Sequence, residues 1–244
     1  PTLTQFYADH YLPHIKQRNR SWETHHSVFK SHILPLWGNI KMSDITRIMI
    51  TKAHNDQITK GFKPATANKI PTFLRGLFNL AIKWEVTGVI KNPAAQFEMF
   101  AENNKVERYL SQEEAAKLMK AVNESANKML KYIVSFLLLT GARRNECLQA
   151  KWCDFDFKAK SWTIPLSKSG KPHHIPITKA LQALLKSIPR ETPSSAYVFP
   201  APNGKSYTNI YTSWDHARNK AGLHDVRMHD LRHTFASTLV NNGR

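Results

Sequence analysis

Apolar residues recur at helical spacing through most of the first ninety positions. Phe6, Tyr7, Tyr11, Leu12 and Ile15 predict a helix over 4–16. A second stretch, Ser21 to Ile33, continues the period and runs out at Pro35 and Gly38. Ser43 is a suitable N-cap for a helix over 44–59, closed by Gly61. Pro64 then opens the longest helix, with Ile70, Leu74, Leu77, Phe78, Ala81 and Ile82 along one side. Pro71 inside it predicts a kink or a split start, and Gly88 its end. This makes a four-helix module over 1–95. From Lys91 to Lys105 the period is lost and charges mix, which places a linker at 96–107.

A different pattern begins at Arg108 and runs through 108–244. Ser111-Gln112-Glu113-Glu114 reads as a capping box for a helix to about Val122. Lys128 to Leu139 predicts an apolar helix that turns at Gly141. Trp152 to Phe157, Trp162 to Leu166 and His173 to Ile177 are short, aromatic or β-branched, and separated by turns, Ser169-Gly170 making the second. They predict a small antiparallel sheet. Helices follow over 178–187, 209–221 and 230–240, with Tyr197-Val198-Phe199 as a short apolar segment between. The fold class is mainly α with a small antiparallel sheet: a helical first domain, then a mixed α+β domain. Tyr132 to Leu139, the longest apolar run, falls far short of the roughly 20 residues that span a bilayer.

Charge adds a partner to this picture. The net charge is +17, and it is spread: residues 1–105 carry 14 basic and 7 acidic side chains, residues 106–244 carry 21 and 11. A polyanion lying across both domains is the natural partner, and nucleic acid is the foremost one. The two cysteines, Cys147 and Cys153, fit no common zinc spacing and make no disulfide framework, so both read as buried thiols in a reducing cytoplasm. No basic-then-apolar secretory pattern opens the chain.

Candidate chemistry lies in the second domain. Arg143 follows an apolar helix and a glycine turn, and its planar guanidinium suits two phosphate oxygens; an ordinary ion pair with Glu146, three residues on, fits that spacing equally well. Lys168 sits on a polar hairpin, where a lysine can donate a proton to a leaving oxygen, and Lys171 competes for the role. His229 and Arg232, three apart at a helix start, share a face. Beside a phosphate the histidine can exchange protons near neutral pH. His233 reads as packed or capping, and Asp230 as a cap.

Taken in order, Thr140-Gly141-Ala142-Arg143-Arg144-Asn145-Glu146, the lysine hairpin, and His229-Asp230-Leu231-Arg232-His233-Thr234-Phe235-Ala236-Ser237 resemble the tyrosine recombinase (phage integrase) family. The helical first half resembles that family's SAM-like core-binding domain, and the resemblance spans essentially the whole chain. It implies a site-specific recombinase, encoded by a bacterium, phage or mobile element and working in the cytoplasm, with double-stranded DNA as partner and a tetramer on DNA as the working assembly. Cutting and rejoining would pass through a 3′-phosphotyrosyl link, with no metal or nucleotide cofactor. Arg143 and Arg232 would match the two phosphate-clamping arginines, Lys168 the lysine that protonates the leaving 5′-oxygen, His229 the first histidine, and Glu146 the acid bracing the arginine.

One departure stands out. In the family a second histidine or a tryptophan, and then the nucleophilic tyrosine, follow the His-x-x-Arg box, whereas Thr234 to Arg244 contain none of these. The seven tyrosines, at 7, 11, 109, 132, 197, 207 and 211, all lie upstream. The expectation is a chain that binds and pre-organises a phosphate without cutting alone, and that assembles weakly. The nucleophile would then come from a missing C-terminal segment or from another subunit. A DNA-occupying inactive form and a type IB topoisomerase-like enzyme are the alternative readings. Two basic domains suit a clamp around the duplex, with Lys63, Thr66, Lys69, Arg75, Arg144 and Lys171 as candidate DNA contacts.

Overall fold

The computed structural model describes residues 1–103, 108–165, 171–190 and 196–241. The chain forms two compact units, Pro1–Asn104 and Lys105–Arg244, each built around its own apolar core.

The first unit is all helical. Its first rod runs Leu3–Phe6, widens into a π-helical turn at Tyr7–Tyr11, and continues as Leu12–Arg18. The second repeats the device: Trp22–Val28, a π turn at Phe29–Ile33, then Leu34–Trp37. Each widened turn directly precedes a proline-bearing turn, at Pro13 and Pro35. A proline brings no N–H and crowds the carbonyl four residues back, here that of Asp9 or Ser31, and the wider turn relieves both faults. The second helix therefore passes Pro35 instead of stopping there. Tyr7 stacks on Phe29 with ring centres 3.6 Å apart, tying the two rods at these turns.

Two predicted boundaries move. Met42–Asp44 is only a 3₁₀ turn, and the next helix, Arg47–Thr59, is capped by Thr46, whose hydroxyl accepts the Met49 N–H. Ser43 instead donates its hydroxyl to Asp44. The long helix is split, as Pro71 predicts, into Pro64–Ala67 and Lys69–Lys83 around Asn68. It ends at Trp84, where Glu85 takes the left-handed conformation (φ 55°), while Gly88 (φ 84°) serves a later turn.

The stretch read as the start of a linker is fastened to this unit. Arg47 donates to the carbonyls of Ala95 and Gln96 at 2.6 and 2.8 Å. Buried Asn68 accepts from His54 (2.9 Å) and from the Phe100 N–H (3.0 Å), and donates to the Phe100 carbonyl (2.9 Å) and Glu102 (2.7 Å). His54 stacks on Phe100 at 4.1 Å.

The second unit is organised around the apolar helix Leu130–Thr140, which packs against the helices Gln112–Asn123, Arg144–Leu148, Lys179–Ser187 and Asp230–Asn241. The Ser111–Glu114 capping box forms as the sequence predicts. Strands β1 (Phe155–Asp156), β2 (Ser161–Ile164) and β3 (His173–Pro176) make one antiparallel sheet in that order. Trp162 pairs with Phe155 on one side and Ile175 on the other, so one face of β2 enters the core. There Trp162 meets the Phe136 ring at 4.8 Å. Trp152–Asp154, expected as strand, is a 3₁₀ turn. Leu166 and the Ser169-Gly170 turn lie outside the described residues. Tyr211–Lys220 completes the helices. Among the described residues no helix is long and apolar enough to cross a membrane.

Asn68→Ala should destabilise the first unit by about 1–3 kcal/mol, because it strands the buried partners of that side chain. It should also open residues 96–102 to limited proteolysis, read against thermal unfolding of the same samples.

Candidate functional site

The site begins where the Leu130–Thr140 helix stops. Gly141 closes it in the left-handed conformation (φ 61°), its N–H on the Leu137 carbonyl at 2.9 Å. The chain then turns through Ala142 and sets Arg143 at the start of the short helix Arg144–Leu148. Glu146 binds Arg143 twice: one carboxylate oxygen accepts the backbone N–H at 2.9 Å, the other accepts Nη1 at 2.8 Å. The Glu146 side chain is only 11% exposed and that of Arg143 is 44% exposed. The acid thus orients the guanidinium while much of it stays open to an anion, so the ion pair and the phosphate clamp are compatible roles.

Arg232 arrives from the other side. Its Nη1 donates to the Gly141 carbonyl at 2.6 Å, across 91 residues of sequence. Gly141 lies two residues before Arg143, so this bond brings both arginines to one turn. Phe235, one helical turn after Arg232, packs on the same glycine: a Cβ on Gly141 would overlap Phe235 Cδ1. The approach of the two segments requires glycine both for its φ and for its bare Cα.

The start of the Asp230–Asn241 helix is held by Asp230 itself. Its side chain is fully buried and accepts the Arg227 backbone N–H at 2.7 Å and the Arg227 guanidinium at 2.6 Å. Burial alone would push this carboxyl up; the Arg227 hydrogen bonds and charge outweigh it and hold it below the usual carboxylate range. Asp230 therefore stays ionised near neutrality and ties down the turn that carries His229. Thr234, one turn on, donates to the Asp230 carbonyl at 2.8 Å and accepts the Leu110 N–H at 2.9 Å.

His229 is exposed in the turn before the helix. Partial burial of its ring, then the charges of His233 and Arg232, hold its pKa below the ordinary histidine value, with Asp230 opposing and Arg227 adding. The shift favours the neutral ring, and an arriving anion or a fall in pH would favour its protonation. His233, expected to be packed or capping, is exposed and meets His229 edge-on, with ring centres 5.0 Å apart.

The other predicted residues are placed as follows. Lys168 lies outside the described residues, and Lys171 is exposed just beyond that segment. Arg144 is exposed beside Arg143, its Nε on Asn145 at 3.1 Å. Lys63, Thr66, Lys69 and Arg75 are in the first unit; all but the half-buried Thr66 are exposed, along the Pro64–Ala67 and Lys69–Lys83 helices. Burial, and then the Lys69 charge, lowers the pKa of His32. Sequence reasoning missed Arg227 and Thr234; the three-residue spacing of Arg227 and Asp230 was a visible signal, the pairing of Thr234 with Leu110 was not.

Several of the thiol and phenol groups are held back by burial or by a hydrogen bond. Cys147 is buried and burial pushes its thiol up, whereas Cys153, expected to be buried, is exposed. Tyr7 and Tyr11 lie in the first core, each pushed up to about 12, chiefly by burial. Tyr207 donates its hydroxyl to Asn127.

Gly141→Ala should destabilise the second unit by roughly 2–5 kcal/mol, the left-handed backbone and the overpacking against Phe235 both contributing. Thermal denaturation checks this; a change under about 0.5 kcal/mol would show that the two segments do not need their close approach.

The model of the phage integrase family matches residues 108–244, and that of the phage integrase N-terminal SAM-like domain matches residues 2–57. A tyrosine recombinase of Thermosipho africanus is 23% identical over 99% of this chain and 86% of its own length. The integrase of Salmonella phage P22 is 30% identical over 75% of this chain, and Staphylococcus aureus XerC 31% identical over 57%. The matches cover 50% and 51% of those two proteins, about half their length. Among solved structures, a lambda integrase (75–356) dimer bound to a core site superposes with a TM-score of 0.78 at 19% identity, covering 100% of this chain and 91% of that one. The Tn1549 transposon integrase with circular intermediate DNA gives 0.71 at 16%, covering 99% and 88%. At these identities the superpositions establish the fold, and with the family model covering more than half of the sequence, the chain belongs to the phage integrase family.

Proposed function

We propose that this chain holds a DNA phosphodiester for site-specific recombination through a 3′-phosphotyrosyl intermediate. In this reading Arg143 and Arg232 neutralise the two non-bridging oxygens, where charge grows as the phosphorus becomes five-coordinate. Glu146 keeps Arg143 in register. His229, neutral at rest, hydrogen-bonds the phosphate and exchanges a proton as the charge changes. A tyrosine hydroxyl attacks phosphorus and passes its proton to the neutral His229 ring; the P–O5′ bond breaks, and the leaving 5′-oxygen takes a proton from Lys168. The 5′-hydroxyl of a partner strand later attacks the phosphotyrosine and releases the tyrosine. Protein cations thus carry the charge that a metal carries in other phosphoryl-transfer sites.

The observation that supports this most is the Arg232–Gly141 bond, which seats one arginine on the turn that aims the other. The net charge of +17 supports a DNA partner. In this reading phosphate contacts come from Lys63, Thr66, Lys69 and Arg75 in the first unit and from Arg144 and Lys171 in the second. One of the superposed structures is a lambda integrase tetramer bound to a Holliday junction, and assembly of several copies on DNA is proposed here by that likeness.

In a preparation that supplies the nucleophilic tyrosine, Arg143→Ala and Arg232→Ala should each slow cleavage of a nicked duplex about 100-fold or more. Duplex affinity should fall by less than about tenfold, since each removes one contact among many. Near-normal cleavage by either variant would remove the site assignment. The logarithm of the binding constant should fall linearly with the logarithm of salt concentration, with a slope of about −0.9 per phosphate contacted. A flat salt response would sink the phosphate-dominated interface.

A further inference from the structure

The lead-in to the second unit is fastened on both sides of the His229–Arg232 segment. Arg108 Nε donates to Asp225 at 2.8 Å, four residues before His229. Its two terminal nitrogens hold Glu114 at 3.0 and 2.6 Å, the same carboxylate that completes the Ser111 capping box. Two residues on, the Leu110 N–H reaches the buried hydroxyl of Thr234 at 2.9 Å, two residues after Arg232. That hydroxyl donates in turn to the Asp230 carbonyl at 2.8 Å. A threonine that bonds the carbonyl four residues back slightly weakens a helix, so the helix itself gives no reason for this residue here. Its second bond, to Leu110, does. The Arg108–Asp225 pair is more exposed and individually weak. It gains from the Glu114 fork, which has already fixed the guanidinium.

We propose that Thr234 and Arg108 are positioning residues, joining the Arg108–Leu110 lead-in to the segment that carries His229 and Arg232 and so setting where those two side chains stand. The consequence for catalysis rests on the reading of this pocket as a phosphodiester site; the positioning itself does not. Neither residue touches the phosphate. Thr234 acts through the Asp230 backbone, and Arg108 through Asp225. Loss of the Thr234 hydroxyl also orphans a buried N–H at Leu110, so the lead-in and the helix start would shift together.

The test is an NMR titration of the His229 ring in the 244-residue chain, for wild type, Thr234→Val and Thr234→Ser. The charged groups acting on that ring are His233, Arg232, Asp230 and Arg227. If Thr234 holds the segment, valine should raise the His229 midpoint towards the ordinary histidine value as the ring loosens from Arg232 and gains water. Serine, which keeps the hydroxyl, should leave the midpoint where it is. With the nucleophile supplied, valine should also slow single-turnover cleavage about 10- to 100-fold at unchanged duplex affinity, and serine should restore it. Leu185→Ala, a core change in the Lys179–Ser187 helix, serves as the control for simple loss of stability. An unmoved His229 midpoint, or failure of serine to keep it, would overturn the proposal; so would a cleavage loss no larger than that control at matched unfolding temperature where Arg143→Ala and Arg232→Ala do slow cleavage. Should valine prevent folding, Arg108→Gln carries the same two readouts. If Arg143→Ala and Arg232→Ala cleave normally while His229 still responds to valine, the phosphodiester reading fails and the positioning stands. The reverse pattern sinks the positioning alone.

Discussion

The second unit turns on one close approach, that of the Asp230–Asn241 helix to the end of the Leu130–Thr140 helix. Three features meet there: a glycine in the left-handed conformation, a phenylalanine ring where a Cβ would otherwise stand, and an arginine on the glycine's carbonyl. Each depends on the others. Without a bare Cα the ring could not sit so close, and without that proximity Arg232 would not reach the carbonyl. The same turn then aims Arg143. A site of two cations that ought to repel is thus assembled by packing, and packing can do this because the apolar helix beneath is rigid and fully buried along one side.

Repulsion is also met by counter-ions placed out of the way of a ligand. Glu146 and Asp230 are nearly and fully buried, and each pairs with an arginine three residues away. They orient positive charge without covering it, which suits a chain carrying +17. Partial burial, and then the neighbouring positive charges, lower the His229 pKa and favour its neutral form.

The first unit depends on aromatic contact more than on charge. The paired π turns carry the helices past Pro13 and Pro35 and bring Tyr7 face to face with Phe29. Asn68, at the break between the two pieces of the long helix, does with one side chain what a strand ladder would do elsewhere, pairing with both the N–H and the C=O of Phe100. A stretch with no periodicity is in this way made part of a domain.

Much of this was legible in the amino-acid order, because the signals are local. The Ser111–Glu114 box, the Gly141 turn, the split at Pro71 and the Arg143–Glu146 spacing each need only neighbours three or four residues apart, and short-range geometry decides them. Local signals failed where two candidates competed: Thr46 rather than Ser43 caps a helix, and Glu85 rather than Gly88 follows the end of another, because the core sets where each helix must stop. The segment at 95–102 read as a linker because its partners, Arg47, His54 and Asn68, lie dozens of residues back. The sequence alone determined the local elements that carry Arg143, His229 and Arg232, the side chains proposed to hold a phosphate. Only the tertiary structure decided that Arg232 meets Gly141 and that Thr234 meets Leu110. Those pairings span 91 and 124 residues, and contacts at such separation are chosen by how whole helices pack, which no local pattern encodes.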